Sequence, residues 1–231
     1  MSISHPYTWL LFDADGTLFD YDQAESTALQ NTFAQFDVPF PPGAVAVYRV
    51  INGQLWQALE EGQITQAELA TRRFELLFET LGRPIPPKFS SAFLDQLARC
   101  TFLMDGAEAV LQALQPRYRI AILTNGISVV QRSRLARSAI HTYIHELIIS
   151  EEVGAAKPDA AFFDLAFERL GQPSRADVLM IGDSLSSDMR GASRYGLDTC
   201  WFNPARLPRP DDMALTYEIA RLEELIALLA G

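Results

Sequence analysis

The stretch LLFDADGTLFD, from Leu10 to Asp20, ends an apolar run abruptly in two carboxylates, Asp13 and Asp15. A Gly-Thr pair follows them at once. Like charges held this close repel each other, and a packed strand end is a poor place to hydrate them. On its own, the stretch is equally well explained by an Asx turn with solvated aspartates. If the two carboxylates are buried, groups elsewhere in the chain must stabilise their negative charges.

Length and composition describe a globular chain with a sizeable core. The protein has 231 residues, of which 48% are hydrophobic and 21% are charged. This length exceeds a typical single domain but is short for two full-sized ones. The formal net charge is −10, so long-range repulsion opposes binding to nucleic acid or to an anionic membrane. We expect neither partner, although a metal ion or a local lysine can still reverse the field around one phosphate.

The two cysteines, Cys100 and Cys200, have no spacing typical of a zinc site or a disulfide framework. We expect two buried free thiols in a reducing cytosol. The N-terminal apolar stretch lacks a preceding basic region and stops at Asp13, so it predicts neither a signal peptide nor a membrane span. The sequence favours a cytoplasmic protein, which we expect to be a monomer or a small homo-oligomer.

Five short apolar runs predict strands that are buried on both faces, because none of them alternates polar with apolar residues. The runs are Trp9–Phe12, Ile120–Leu123, Leu147–Ile149, Val178–Ile181 and Thr199–Phe202. Helical patterns lie between the later runs. Residues 107–114 share an apolar face with Asp105 placed to cap the helix, residues 162–170 share another before Gly171, and residues 185–195 end before Gly196. Strands alternating with helices predict an α/β fold with a doubly wound parallel sheet.

The segment from about residue 21 to about residue 102 breaks this rhythm, because it contains helical patterns and no convincing strand. Thr65–Glu68 reads as a capping box that opens a helix running to Leu81. The predicted inward faces are Leu29 with Phe33, and Val50 with Leu55 and Leu59. We therefore predict a core formed by residues 1–20 and 103–231, with a helical domain of residues 21–102 inserted after the first strand.

Polar residues follow the predicted strands where packing alone would not place them. Asp13 and Asp15 follow the first run, Thr124 follows the second, and Asp183 follows the fourth, with Asp188 shortly after. The carboxyl ends of parallel strands face one crevice, where ligands bind, so these side chains should converge. Lys157 lies on a connection that could reach the same edge.

A cluster of carboxylates needs a cation, and hard oxygen ligands suit Mg²⁺. Thr124 and nearby backbone N–H groups can hold phosphate oxygens, and Lys157 supplies a fixed positive charge. One aspartate is then free to attack phosphorus and a second to shuttle a proton. A receiver domain of a signalling protein also uses an acidic cluster, but its acidic pair would precede the phosphorylated aspartate.

Four motifs in this order resemble the haloacid dehalogenase superfamily of phosphohydrolases. They are Asp13-Ala14-Asp15-Gly16-Thr17, Thr124-Asn125-Gly126, Lys157-Pro158 and Gly182-Asp183-Ser184-Leu185-Ser186-Ser187-Asp188. The resemblance covers nearly the whole chain, because the helical insertion looks like that superfamily's cap domain. Because the insertion leaves the core directly after the first strand, we also expect it to act as a lid that closes over the strand ends.

The resemblance implies a role for each motif residue. Asp13 would be the nucleophile that forms an aspartyl-phosphate, and Asp15 would be the general acid and then the general base. Lys157 would steady Asp13 and the phosphoryl group. The remaining implied assignments are phosphate binding by Thr124, Asn125 and Gly126, and Mg²⁺ binding by Asp13, Asp183, Asp188 and the backbone carbonyl of Asp15.

Finer similarities, at Ile149–Pro158, Thr199–Asn203 and Arg73-Phe74-Glu75, resemble the house-cleaning pyrimidine 5′-nucleotidases. That resemblance implies a nucleoside monophosphate, pyrimidine or non-canonical, as the phosphomonoester substrate. Mutases and phosphatases for small sugar phosphates or phosphoglycolate share the same core motifs and stay open, as does a non-catalytic phosphate-binding protein. The candidate substrate contacts are Phe19 at the mouth of the site and Asn52, Trp56 and Arg73 in the insertion. The alternative for Trp56 is a core position, and for Arg73 a solvated helix charge.

Overall fold

The computed structural model describes residues 7–230 and contains a six-stranded sheet in which every pairing is parallel. The strands are β1 (Trp9–Phe12), β2 (Arg119–Thr124), β3 (Glu146–Ile149), β4 (Val178–Gly182), β5 (Asp198–Phe202) and β6 (Tyr217–Ile219), in the spatial order β3-β2-β1-β4-β5-β6. The first five coincide with the five apolar runs, which confirms the predicted α/β fold. Sequence analysis missed β6, because three residues with a glutamate at the centre give no continuous apolar run.

The helices are α1 (Tyr21–Gln35), α2 (Ala44–Glu60), α3 (Gln66–Thr80), α4 (Phe89–Leu97), α5 (Ala107–Leu114), α6 (Ser128–Arg137), α7 (Ser150–Val153), α8 (Ala160–Leu170), α9 (Arg190–Tyr195) and α10 (Glu224–Leu228). A π-helical turn, Leu185–Met189, precedes α9, and 3₁₀ turns span Ala139–Tyr143 and Arg175–Asp177. Among residues 7–230, every helix is too short or too polar to cross a bilayer.

The sheet buries both of its faces, as its uninterrupted apolar strands require. In β1, Leu10 and Phe12 belong to one hydrophobic cluster, whereas Trp9 and Leu11 belong to the other. Helices α5 and α10 pack within the first cluster, and helices α8 and α9 within the second. Because side chains alternate along a strand, each central strand contributes to two cores at once.

The chain divides into two compact units. One, here the sheet unit, comprises the residues up to Tyr21 and from Thr101 onward; the other, the helical unit, comprises Asp22–Cys100. The helical unit contains α2, α3, α4 and all but the first residue of α1. The two cysteines are buried and free, as expected.

The helical unit has an aromatic core and the predicted capping box. Thr65 accepts a hydrogen bond from the backbone N–H of Glu68, and the Glu68 carboxylate accepts one from the backbone N–H of Thr65. The predicted inward face of α2 is wrong, because Val50 is 62% exposed and the buried residues of this helix are Ala44, Tyr48 and Asn52. The ring contacts of the core join Phe33, Tyr48, Phe74, Phe78, Phe89 and Phe93.

Two local predictions in the sheet unit also need correction. Asp105 does not cap α5, because the chain enters this helix through Gly106 with a φ of 79°, and no side chain bonds to the helix start. This positive φ, which L side chains rarely adopt, favours glycine at position 106. The helix expected over residues 185–195 is divided into the π-helical turn and α9, although it ends before Gly196 as predicted.

Candidate active site

The sheet topology brings the ends of three strands to one place. From β1 the chain proceeds to β2 and β3 on one side, and β4 and β5 lie on the other side of β1, so the switch point falls between β1 and β4. Phe12 is in register with Ile122 of β2 and Ile181 of β4. The residues that follow these strands therefore share one edge, where ligands bind in sheets of this type.

A cluster of three carboxylates stands at this edge. Oxygen atoms of Asp13, Asp183 and Asp188 all lie within 4.8 Å of one another. Two glycines make this approach possible, because a Cβ at Gly16 would lie 2.6 Å from an Asp183 oxygen and one at Gly182 would overlap Asp188. Gly16 also has a φ of 89°, which L side chains rarely adopt. The structure thus brings together three of the predicted metal ligands.

Lys157 lies inside this cluster and is 2% exposed. Its ammonium group donates hydrogen bonds to Asp13 (2.6 Å), to Asp188 (2.6 Å) and to the backbone carbonyl of Leu123 (2.7 Å). Three acceptors satisfy the three N–H donors that a lysine carries. The lysine therefore links the end of β1, the end of β2 and the π-helical turn.

Asn125 sets the position of Lys157 through a reciprocal pair of hydrogen bonds. The side-chain N–H of Asn125 donates to the carbonyl of Lys157 (2.8 Å), and the backbone N–H of Lys157 donates to the side-chain oxygen of Asn125 (2.9 Å). Sequence analysis proposed Asn125 as a phosphate ligand. Its amide side chain braces the lysine, and the phosphate contact of this residue stays a prediction.

The charges in the cluster do not balance, and the pKa values reflect this. Burial raises the pKa of Asp13 well above its usual range, and Asp188 and Asp183 raise it further against the opposing effect of Lys157. Burial, followed by the charge of Asp188, raises the pKa of Asp183 to about 6. Burial alone would lower the pKa of Lys157, but Asp13 and Asp188 together raise it above its ordinary value. One ammonium thus stays charged among three carboxylates, and this excess of negative charge suits a metal cation.

Two hydrogen bonds that the sequence did not predict fix the orientation of the cluster. The Thr17 hydroxyl donates to the Asp183 carboxylate (3.0 Å), and the backbone N–H of Ser184 donates to the Asp188 carboxylate (3.1 Å). Trp201 adds a bond from its indole N–H to the Asp183 carbonyl (2.9 Å). Ligand carboxylates held in this way keep their geometry. The only sequence signal was the position of Thr17 beside the two aspartates.

The end of β2 supplies the predicted phosphate-binding residues Thr124 and Gly126. The Thr124 side chain is buried, and its hydroxyl oxygen accepts a hydrogen bond from the backbone N–H of Gly126 (3.0 Å). This bond closes a tight turn directly after the strand, on the same edge as Asp13. A hydroxyl that accepts from its own turn still has a donor hydrogen to offer a phosphate oxygen.

Asp15 is set apart from the other carboxylates. One of its carboxylate oxygens accepts a hydrogen bond from the guanidinium of Arg134, and the other accepts one from the side-chain amide of Gln131. Both donors lie on α6, at positions that the helical period turns toward the sheet unit's interior. Sequence analysis missed both residues, although two polar side chains on the inward face of a helix were a signal that could have found them.

The structure gives different surroundings to the four candidate substrate contacts. Phe19 does not lie open at a mouth, because it is 1% exposed and Arg134 covers one ring face at 4.4 Å. Arg73 is not a solvated charge, because it is buried against the rings of Phe74 and Phe93. Asn52 is also buried and donates to Glu25 (3.0 Å). Trp56 is half-buried and retains exposed surface.

Comparisons with known proteins agree with this arrangement. A model of the haloacid dehalogenase-like hydrolase family matches residues 7–196. The chain is 39% identical to pyrimidine 5′-nucleotidase YjjG of Escherichia coli (strain K12), over 96% of this chain and 98% of that protein. It is 35% identical to pyrimidine 5′-nucleotidase PynA of Streptococcus pneumoniae (strain ATCC BAA-255 / R6), over 96% of this chain and 95% of that protein.

A solved structure of similar fold is that of the HAD-hydrolase YfnB from Bacillus subtilis bound to magnesium. It has a TM-score of 0.92 and 36% sequence identity, over 98% of this chain and 100% of that one. The family model spans most of the chain, and the named relatives match nearly all of it. The chain therefore belongs to the haloacid dehalogenase-like hydrolase family, among its phosphatases.

Proposed function

We propose that this protein is a Mg²⁺-dependent 5′-nucleotidase that hydrolyses nucleoside monophosphates through an aspartyl-phosphate intermediate. The observation that carries the proposal is the Asp13 carboxylate, held at the end of β1 by the Lys157 ammonium at 2.6 Å. A carboxylate fixed in this way, with Thr124 ending the neighbouring strand, is oriented as a nucleophile beside groups that bind phosphate.

The residues divide the reaction into two steps. An Asp13 oxygen attacks phosphorus as the bond from phosphorus to the ester oxygen breaks, and Asp15 gives that oxygen its proton. Asp15 then takes a proton from water as the water attacks phosphorus and releases Asp13 and inorganic phosphate. The turn after Thr124 holds the phosphoryl oxygens in both steps, and Lys157 supplies a fixed positive charge beside them. The two carboxylates thus take different roles because their surroundings differ.

The carboxylate cluster fits Mg²⁺, which prefers oxygen ligands and tolerates few carboxylates alongside phosphate and water. Asp13, Asp183 and the backbone carbonyl of Asp15 would hold the ion, with Asp188 in support. When bound, Mg²⁺ supplies positive charge that neutralises the phosphoryl oxygens. The charge imbalance among Asp13, Asp183, Asp188 and Lys157 supports this assignment, and so does the magnesium bound to the YfnB structure.

The helical unit is proposed to supply the contacts that select a nucleotide, because the motifs of the sheet unit engage phosphate and metal alone. A nucleobase needs a flat apolar surface and a few polar groups that read its edge. The names of the two 5′-nucleotidase relatives support this substrate class. The magnesium-bound YfnB structure is described as revealing interdomain movement, which supports a helical unit that acts as a mobile cap.

A panel of phosphomonoesters tests the substrate class. We expect kcat/KM for pyrimidine nucleoside monophosphates to exceed that for sugar phosphates and phosphoglycolate at least tenfold, a difference of about 1.4 kcal/mol in transition-state binding. Phosphate release from each compound with Mg²⁺ is the measurement. A preference for a sugar phosphate would replace the nucleotidase proposal with that of a sugar phosphatase.

Replacing Asp13 by Asn tests the nucleophile. An amide of the same shape cannot attack phosphorus, so we expect turnover of p-nitrophenyl phosphate to disappear while the protein stays folded. Initial rates measure the first effect and circular dichroism the second. A loss of only a few-fold in rate would remove Asp13 from the nucleophile role.

The raised pKa of Asp183 predicts how pH controls Mg²⁺ binding. Protons compete with the metal below pH 6, so apparent Mg²⁺ affinity should fall by roughly tenfold between pH 7 and pH 5. The metal-free protein should respond to pH in the opposite direction. Above pH 6 the ionised Asp183 is repelled by Asp188 and lowers the free energy of unfolding. The free energy of unfolding should rise as pH falls from 6 toward 4, because Asp183 binds its proton more tightly in the folded state than in the unfolded state.

Thermal unfolding with and without Mg²⁺, at several pH values, measures both effects. Asp183→Asn is the matched control, because it removes the titrating group and should leave little dependence of Mg²⁺ stabilisation on pH in this range.

A chelator should abolish activity in the wild-type protein, and added Mg²⁺ should restore it. Full activity in excess chelator would contradict a metal-dependent mechanism.

Trp56 is the candidate for base stacking, because it keeps exposed surface on α2. Trp56→Ala should lower kcat/KM for nucleotides by about 1–3 kcal/mol of lost stacking and leave p-nitrophenyl phosphate nearly untouched. Val50→Ala is the control, since Val50 lies exposed on the same helix. If Trp56→Ala slows both substrates equally, or neither, the tryptophan serves packing and not base recognition.

A further inference from the structure

Two buried residues of α6 grip the Asp15 carboxylate from both sides. Arg134 is fully buried and forms an ion pair with one oxygen, while Gln131, 3% exposed, donates to the other. With both oxygens bound, the carboxylate cannot rotate without breaking a hydrogen bond. We call Gln131 and Arg134 the α6 clamp.

Other parts of the sheet unit are shaped around this clamp. A Cβ at Gly126 would overlap the Gln131 side-chain amide, so the glycine of the phosphate-binding turn makes room for it. Arg134 also lies over the ring of Phe19 at 4.4 Å. Phe19 belongs to the same turn as Asp15, because its carbonyl accepts a hydrogen bond from the N–H of Gly16 (2.9 Å). Arg134 thus contacts both ends of the turn that carries Asp15.

A buried guanidinium is costly unless it is paired, and the structure places its charge on Asp15 and not on the nearby cluster of three carboxylates. That cluster would attract any arginine free to reach it. The clamp therefore holds two things in place at once. It fixes the direction of the Asp15 side chain, and it keeps that side chain apart from Asp13, Asp183 and Asp188.

We propose that Gln131 and Arg134 are positioning residues that hold Asp15 where it exchanges protons with the ester oxygen and with water. The inference rests on the proposed function, since it takes Asp15 as the group that carries the proton. A carboxylate has about four lone-pair sites, so two hydrogen bonds leave acceptor sites for that proton. Small displacements of such a group cost large factors in rate, which is why a fixed direction matters.

The test compares Gln131→Met and Arg134→Met, each alone and combined with Asp15→Asn. Alkyl esters release a strongly basic oxygen that needs the proton, whereas nitrophenolate leaves more readily without it. We expect Arg134→Met to lower kcat/KM, which reports the step in which the leaving group departs, about 100-fold for a nucleoside monophosphate and about tenfold for p-nitrophenyl phosphate, within the range that general acid–base catalysis provides. Gln131→Met should lower kcat for the nucleotide about tenfold. KM and the Mg²⁺ concentration for half-maximal activity should change less than about threefold, because the clamp binds the Asp15 carboxylate, whereas the proposed metal ligand of this residue is its backbone carbonyl.

The double variants separate positioning from general structural damage. If the clamp acts through Asp15, its removal should slow the Asp15→Asn protein by less than about twofold, since coupled residues are not additive. Arg137→Met is the matched control, because Arg137 lies exposed on the same helix and should retain wild-type kcat. Circular dichroism and thermal unfolding check that each variant is folded. If Arg134→Met does not fold, Gln131→Met and Arg134→Lys carry the test.

Each outcome bears on one claim. Losses in kcat/KM that multiply fully in the Asp15→Asn background, or that are equal for both leaving groups, would overturn the positioning role, while an active wild-type protein leaves the proposed function standing. A wild-type protein without phosphatase activity would overturn the proposed function and the clamp's role with it.

Discussion

The buried ion pairs of Lys157 are the interaction on which the site depends. The ammonium group of Lys157, a residue 2% exposed to solvent, is held by two carboxylates and one carbonyl. Losing one partner of such a pair typically costs about 3–5 kcal/mol, because the other charge is left buried and uncompensated. Much of the surrounding structure serves this arrangement. Parallel strands bring Asp13 beside Leu123, the π-helical turn brings Asp188 back toward β4, and Gly182 leaves room for its carboxylate.

The same constraint explains why two aspartates one residue apart can do different work. Asp13 shares its surroundings with two further carboxylates and a lysine, so its negative charge belongs to a cluster built for cations. Asp15 turns to α6 and meets an arginine and an amide. Residues two apart on a strand would point to the same face, but β1 ends at Phe12, and the chain turns directly afterward through Gly16, whose φ of 89° is left-handed. The repulsion between Asp13 and Asp15 is therefore reduced, because their carboxylates point to different places and each has its own hydrogen-bond donors.

Sequence patterns predicted the parts of the fold that local chemistry determines. Continuous apolar runs located the five long strands, and the Thr65–Glu68 capping box located the start of α3. What they could not predict depends on contacts distant in sequence. Val50 looked apolar enough for an inward face, yet the packing of α2 turned Tyr48 and Asn52 inward instead. The strand-end motifs located the carboxylates and the lysine, whereas the pairing of Asp15 with Arg134 crosses 119 residues, so no local pattern identifies the partner of this inward-facing arginine. Asn125 shows the same limit, because its motif position gave no indication that its side chain braces Lys157, 32 residues away in sequence.

Both units bury an arginine, and both do so against aromatic rings. Arg134 lies over Phe19 in the sheet unit, and Arg73 lies near the rings of Phe74 and Phe93 at 5.2 and 5.0 Å in the helical unit. A guanidinium is planar and weakly hydrated, so its face can stack on an aromatic ring while its N–H groups donate within its own plane. Lysine cannot do this, since its charge is a compact and strongly hydrated point. Sequence analysis took Arg73 as a candidate substrate contact, with a solvated helix charge as the alternative, because arginine is seldom buried. The aromatic residues at helical spacing around Arg73 indicated that its side chain could be buried against rings. Phe19 is a second such case, because its buried ring packs against Arg134 and not against a ligand.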